Sequence, residues 1–314
     1  MTPAPPISPG AGAAPLRAVV AVSCNKGGVG KTTLAANLAI YLRALREDQP
    51  VAVVGLDDQG TLDRMFSLGP AEPGAGNLKH GWAERSLDRV LRMGEYGIHW
   101  VPSPPDVALL KARAEDPNAL RRILDASDWR GVFFLDTKSD LEALTRNAIH
   151  AADRVIVPIS DWAALEEAGR TFALLERDRL PPDRARVVFT LVDRRSRGDD
   201  AEPLYHRLAA EVERRGWPRF RTAISRSPRV EALNSGTDRP RSILHHARGT
   251  AVHAELRELA HELLWDLEEL DAARARRSDP PVLWGRRVQP EPRPAGGPQG
   301  PLGVAGLRRR QSGG

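Results

Sequence analysis

Cysteine occurs once in these 314 residues, at Cys24. A single thiol excludes an internal disulfide framework, a cysteine-rich zinc site and an iron–sulfur cluster held by several cysteines of one chain. Cys24 itself reads as a small apolar residue at a strand end. Long apolar runs are also missing: nothing approaches the roughly 20 residues that span a bilayer, and the opening MTPAPPISPGAGAAP has neither a basic n-region nor an apolar h-region. The expectation is a cytoplasmic protein with no integral membrane association. Aromatic residues are few and the seven tryptophans scattered, which suits packing rather than a base-stacking platform. The histidines include the neighbours His245 and His246, yet no histidine–carboxylate spacing suggests a metal site. Lysine is sparse, confined to Lys26, Lys31, Lys79, Lys111 and Lys138.

Arginine is plentiful by contrast, and its placement is uneven. The formal net charge is +5, but Ala273 to Gly314 holds nine arginines against Asp279 and Glu291, which leaves the preceding chain slightly acidic. Such a tail could hold an anionic partner, nucleic acid or acidic lipid, or serve only solubility. Residues 1–16 and 278–314 are rich in Pro, Gly and Ala and read as disordered, the second stretch with arginine clusters added. Between them, residues 17–277 have enough apolar content to bury a core.

Short β-branched runs alternate with helical patterns across that body. Strands are expected at 17–23, 51–56, 99–103, 132–136, 154–160, 186–192 and 219–224, and helices at 31–46, 140–151, 163–177, 202–215 and 250–274. This alternation predicts an α/β fold with a mostly parallel sheet and helices on both faces. Ligands of such sheets bind beyond the carboxyl ends of the strands.

One segment in that position carries specific chemistry. The first strand runs into Cys24-Asn25-Lys26-Gly27-Gly28-Val29-Gly30-Lys31-Thr32-Thr33 and then into a helix, the order that a phosphate-binding P-loop requires. Gly27, Gly28 and Gly30 let the backbone turn its N–H groups inward, and the helix N-terminus adds positive potential. Lys31 would reach the β- and γ-phosphates of ATP, and the Thr32 hydroxyl would ligate Mg²⁺. Val132 to Asp136 is an apolar strand ending in an acid that would hold Mg²⁺ through water; its other reading is an N-cap for the next helix.

KGGVGKTT, with a lysine in first place, resembles the deviant Walker A motif of the ParA/MinD superfamily, closest to its ParA/Soj-type partitioning ATPases, and the resemblance extends over about residues 17–272. It implies that ATP closes a homodimer and that Lys26 reaches the partner's phosphates, as an arginine finger would; a charged loop residue is otherwise simply solvated. Gly55-Leu56-Asp57-Asp58-Gln59-Gly60 is similar to the family's Asp-x-Asp-Pro-Gln-Gly, with Gly55 in place of the first Asp and Asp58 in place of Pro. The resemblance makes Asp57 the acid that orients the attacking water; otherwise it is a turn or N-cap residue. TRNAIHAADRVIVPI resembles the family's stretch after the Walker B strand, whereas Lys138-Ser139 stands where most members have prolines. Arg194, Arg195, Arg226 and Arg229 fall in two loops that hold nonspecific DNA in the partitioning branch, and each equally reads as a solvated surface arginine.

The resemblance thus implies a slow, partner-stimulated ATPase of DNA segregation: nucleoid-associated, with a ParB-like protein as its partner. The departures at Gly55, Asp58 and Lys138-Ser139 keep open a nucleotide-gated scaffold with little hydrolysis. A MinD-like or flagellar-placement ATPase would need an amphipathic C-terminal helix, which the Pro/Gly-rich end does not supply.

Overall fold

The computed structural model describes residues 15–57, 59–69, 76–193, 203–234 and 239–278. Two units divide the chain, Met1–Arg276, which carries the sheet, and Arg277–Gly314, of which only residues 277–278 are described. Eight strands run β1 (Ala18–Val22), β2 (Val51–Gly55), β3 (Arg92–Met93), β4 (His99–Val101), β5 (Val132–Asp136), β6 (Arg154–Ile159), β7 (Ala185–Val192) and β8 (Arg219–Ser225). They form one sheet in the order β3-β4-β2-β5-β1-β6-β7-β8, parallel throughout except β3. That strand breaks the expected alternation; it spans two residues, too short to leave a periodic trace in sequence.

The helices are α1 (Lys31–Leu45), α2 (Thr61–Phe66), α3 (Leu78–Glu84), α4 (Ala119–Ala126), α5 (Ala143–Ala151), α6 (Trp162–Arg177), α7 (Leu204–Arg214), α8 (Pro228–Asn234), α9 (Ile243–His246) and α10 (Ala251–Ser278). Strand side chains alternate between the faces and so build two cores. Val19, Ala21, Ala52, Val54, Phe133 and Leu135 pack with α3 to α7. Val20, Val22, Val51, Val53, Val132 and Phe134 pack with α1, α2 and α10. Helices therefore cover both faces, and β1, β2, β5 and β6 are buried along their whole length, which is why they read as unbroken apolar runs.

Local chemistry accounts for the shifted boundaries. α5 starts at Ala143 rather than Asp140 because the Asp140 carboxylate accepts from Glu142 N and Thr145 Oγ, fixing a turn ahead of the helix. Leu16 is buried, and its backbone N–H and carbonyl both bond the Gln49 amide side chain. α10 continues to Ser278, and Arg274 on it bonds the Asp153 carboxylate and Arg17 O. No helix among the described residues is long and apolar enough to cross a membrane.

Candidate nucleotide site

β1, β5 and β2 are neighbours, and their register sets Val22 and Gly55 beside Asp136. The three loops that leave these strands consequently share one corner of the sheet. Gly28 and Gly30 take φ of 76° and 88°, left-handed conformations that L side chains rarely adopt. Gly30 caps α1 with no side-chain bond to the helix's first N–H groups, so those donors remain available to an anion. Thr190 Oγ1 on β7 donates to Val29 O at 2.9 Å and pins the loop from below.

Lys31 is buried in this corner, where Nζ donates to Lys26 O at 2.8 Å and Ser139 Oγ at 2.5 Å. Burial lowers its pKa, opposed by the charges of Asp136, Asp57 and Asp140. The Thr32 hydroxyl lies beside the Asp136 carboxylate and favours its ionised form. Asp136 is 2% exposed and its Oδ1 has no hydrogen-bond partner; burial and the nearby Asp57 push its carboxyl up to about 7 despite Thr32. A buried carboxylate with an idle oxygen, a hydroxyl beside it and a second acid nearby fit a hard divalent cation such as Mg²⁺. Asp57 lines the same small cavity, together with Thr32, Gly55, Gln59, Ser103 and Asp136.

Lys26 points elsewhere. Its Nζ lies 2.5 Å from Asp161 Oδ2, on the residue that caps α6 by accepting from Ala164 N. Against the raising effect of burial, the Lys26 ammonium and the Ala164 N–H hold the Asp161 carboxyl below its usual range. Asn25 beside it donates to Glu167 on the same helix.

Gly28, Val29, Gly30, Thr33 and Leu34 also form one wall of a groove of about 420 Å³, closed by Thr190, Leu191, Ile224, Arg226, Val230 and Leu256 among others. That volume suits a small-molecule site. Leu191 takes a left-handed φ of 55° where the β7–β8 register slips, at the groove's edge. Sequence reasoning did not find this groove, because its apolar walls come from β7, β8, α8 and α10 and no local spacing signals their meeting. Arg226 lies on its rim, with its N–H bonded to Val192 O and its guanidinium to Glu231; Arg229, exposed, donates to His246 O. Arg194, Arg195 and Asp58 lie outside the described residues. Cys24 sits in the core beneath the loop, as expected, and burial raises its thiol pKa.

A doubly covered parallel sheet with these groups at its carboxyl edge defines a P-loop nucleotide-binding protein. A family model described as an AAA domain matches residues 17–171. The chromosome-partitioning ATPase Soj of Thermus thermophilus is 33% identical over 256 residues, 80% of this chain and 96% of that protein. The chromosome partitioning protein ParA of Caulobacter vibrioides is 32% identical over 195 residues, 58% of this chain and 72% of that one. A solved structure of cobyrinic acid a,c-diamide synthase from Mycobacterium smegmatis, with bound ATP analogue and magnesium, matches with a TM-score of 0.61 at 23% identity, covering 79% of this chain and 95% of that one. The chain belongs to the ParA/Soj-type ATPases of the ParA/MinD superfamily.

Proposed function

We propose that the protein binds MgATP, closes into a homodimer around it, holds DNA without regard to sequence and hydrolyses ATP to drive DNA segregation. One observation carries the reading: Lys31, Thr32, Asp57 and Asp136 converge at the ends of three adjacent strands, beside a loop that enters α1 at Gly30 with no side-chain cap. The Soj and ParA relatives supply the cellular process.

In this reading the loop N–H groups of Gly27 to Thr33 and Lys31 bind the β- and γ-phosphates, Lys31 exchanging Ser139 Oγ for a phosphate oxygen. Thr32 and Asp136 would hold Mg²⁺, which would supply neutralisation of the phosphate charge. The groove beside the loop takes the nucleoside. Asp57 orients the attacking water and accepts its proton, while Lys26, released from Asp161, reaches the partner's phosphates and stabilises their developing charge. Arg226 and Arg229, with Arg194 and Arg195, contact DNA phosphates, and a ParB-like protein speeds hydrolysis and ends the cycle. Contact of that kind weakens steeply with salt.

The test is ATP turnover and ATP binding by the purified full chain with Mg²⁺, with and without nonspecific DNA, at two salt concentrations. Slow turnover that DNA raises at low salt, is lost in Asp57→Ala and Lys26→Ala, and is accompanied by loss of ATP binding in Lys31→Ala is the expected result. Equal ATP affinity in wild type and Lys31→Ala would sink the site. Gly55 and Lys138-Ser139 favour one second reading, a nucleotide-gated scaffold, which tight ATP binding without turnover under every condition would establish instead.

A further inference from the structure

Gly55 ends β2 and Ser103 lies two residues beyond β4, its neighbour in the sheet. A side chain begun at position 55 would put its first carbon 3.0 Å from Ser103 Oγ, tighter than most real contacts of that kind, so the hydroxyl would have to give by a few tenths of an ångström. The hydroxyl therefore crowds the space that any residue larger than glycine at 55 would enter. Both residues line the cavity shared with Thr32, Asp57 and Asp136. Ser103 is also held from behind, because the Asp63 carboxylate accepts its N–H at 3.2 and 3.1 Å.

A serine hydroxyl carries two lone pairs that can accept. Water bound to a divalent cation is a strong donor, and the groups that accept from it tune metal affinity. We infer that Ser103, oriented by Asp63, accepts a hydrogen bond from the water shell of Mg²⁺, and that Gly55 and Ser103 are a matched pair, the hydroxyl offering from 103 the acceptor for which a larger residue at 55 would leave little room. Asp63 is a positioning residue in this arrangement, acting through Ser103. The inference rests on the MgATP reading above.

The experiment titrates Mg²⁺ against binding of a fluorescent ATP analogue by the full chain, for wild type, Ser103→Ala, Ser103→Gly, Gly55→Ala, Gly55→Ala/Ser103→Ala and Gly55→Asp/Ser103→Ala, with thermal melting as the control for folding. The Mg²⁺ concentration at half-saturation is expected to rise about tenfold in Ser103→Ala and Ser103→Gly, while affinity for the nucleotide without Mg²⁺ stays put. Gly55→Asp in the Ser103→Ala background should return the midpoint to near wild type. Gly55→Ala should lower the melting temperature in wild type and much less in the Ser103→Ala background, the non-additivity of two groups in contact. A midpoint in folded Ser103→Ala within twofold of wild type overturns the inference and leaves the MgATP reading intact. Wild type that binds the nucleotide without any response to Mg²⁺ overturns both.

Discussion

Lys26 and Asp161 form an ion pair in which both side chains are partly exposed, 30% and 40%, so the contact is weak, about 0–1 kcal/mol. That weakness matters if the lysine has to leave for a partner's phosphates. Asparagine caps helices as well as aspartate does, so Asp161→Asn removes the charge and spares α6. The variant should dimerise with a non-hydrolysable ATP analogue at a protein concentration up to about fivefold lower, read by sedimentation; an unchanged or higher midpoint would mean that Asp161 does not restrain Lys26. Lys31 is held by Ser139 Oγ and a loop carbonyl, partners that phosphate oxygens can replace in kind. The serine at 139 thus supplies a hydrogen bond that prolines in its place could not.

Among the elements, α10 does more than cover a core face. Its Asp266 is buried between Arg154 on β6 and Arg186 on β7, with Arg154 Nη2 at 2.9 Å and Arg186 Nη2 at 2.8 Å. Its Glu262 accepts from the backbone N–H groups of Arg221 and Thr222, and its Glu255 from that of Ser225. β8 is one of the sheet's two edges, and these carboxylates occupy donors through which another chain could pair with it. Asp266→Ala leaves Arg154 without its buried partner and should cost about 3–5 kcal/mol, seen as a lower midpoint in urea unfolding. ATP affinity of the variant that remains folded should be unchanged, since Asp266 lies away from the P-loop corner. A loss below about 1 kcal/mol would show that the pair only offsets its own desolvation.

Stability against pH belongs to the molecule as a whole, and Asp63 makes a specific contribution to it. Burial pushes its carboxyl up to about 6, against the lowering effect of its hydrogen bonds from Ser103. The ordinary value is 3.8, so the folded state holds the proton more tightly than the unfolded chain. The resulting stabilisation is complete below about pH 4 and is lost as the pH rises through 6. Asp63→Asn imitates the neutral acid at every pH. Between pH 4 and 7 the melting temperature of wild type should therefore fall relative to that of Asp63→Asn, by a few degrees; parallel curves would place the titration elsewhere. Other carboxylates contribute alike to both proteins and cancel in the comparison.

Sequence alone carried the α/β class, all the long strands and the P-loop, because each depends on neighbours in the chain: two-residue alternation, glycines at fixed spacing, a lysine and a hydroxyl at a helix start. It also placed Asp57 and Asp136 at strand ends. Tertiary structure decided what lies between such segments. The order of strands brought Gly55, Asp136 and Ser103 to one cavity, although 33 residues separate Asp136 from Ser103 and 48 separate Ser103 from Gly55. It closed the groove from β7, β8, α8 and α10, turned Lys26 onto Asp161 and set a two-residue antiparallel strand at the sheet's edge. None of these has a local signal, for each is a contact that only packing of distant elements creates.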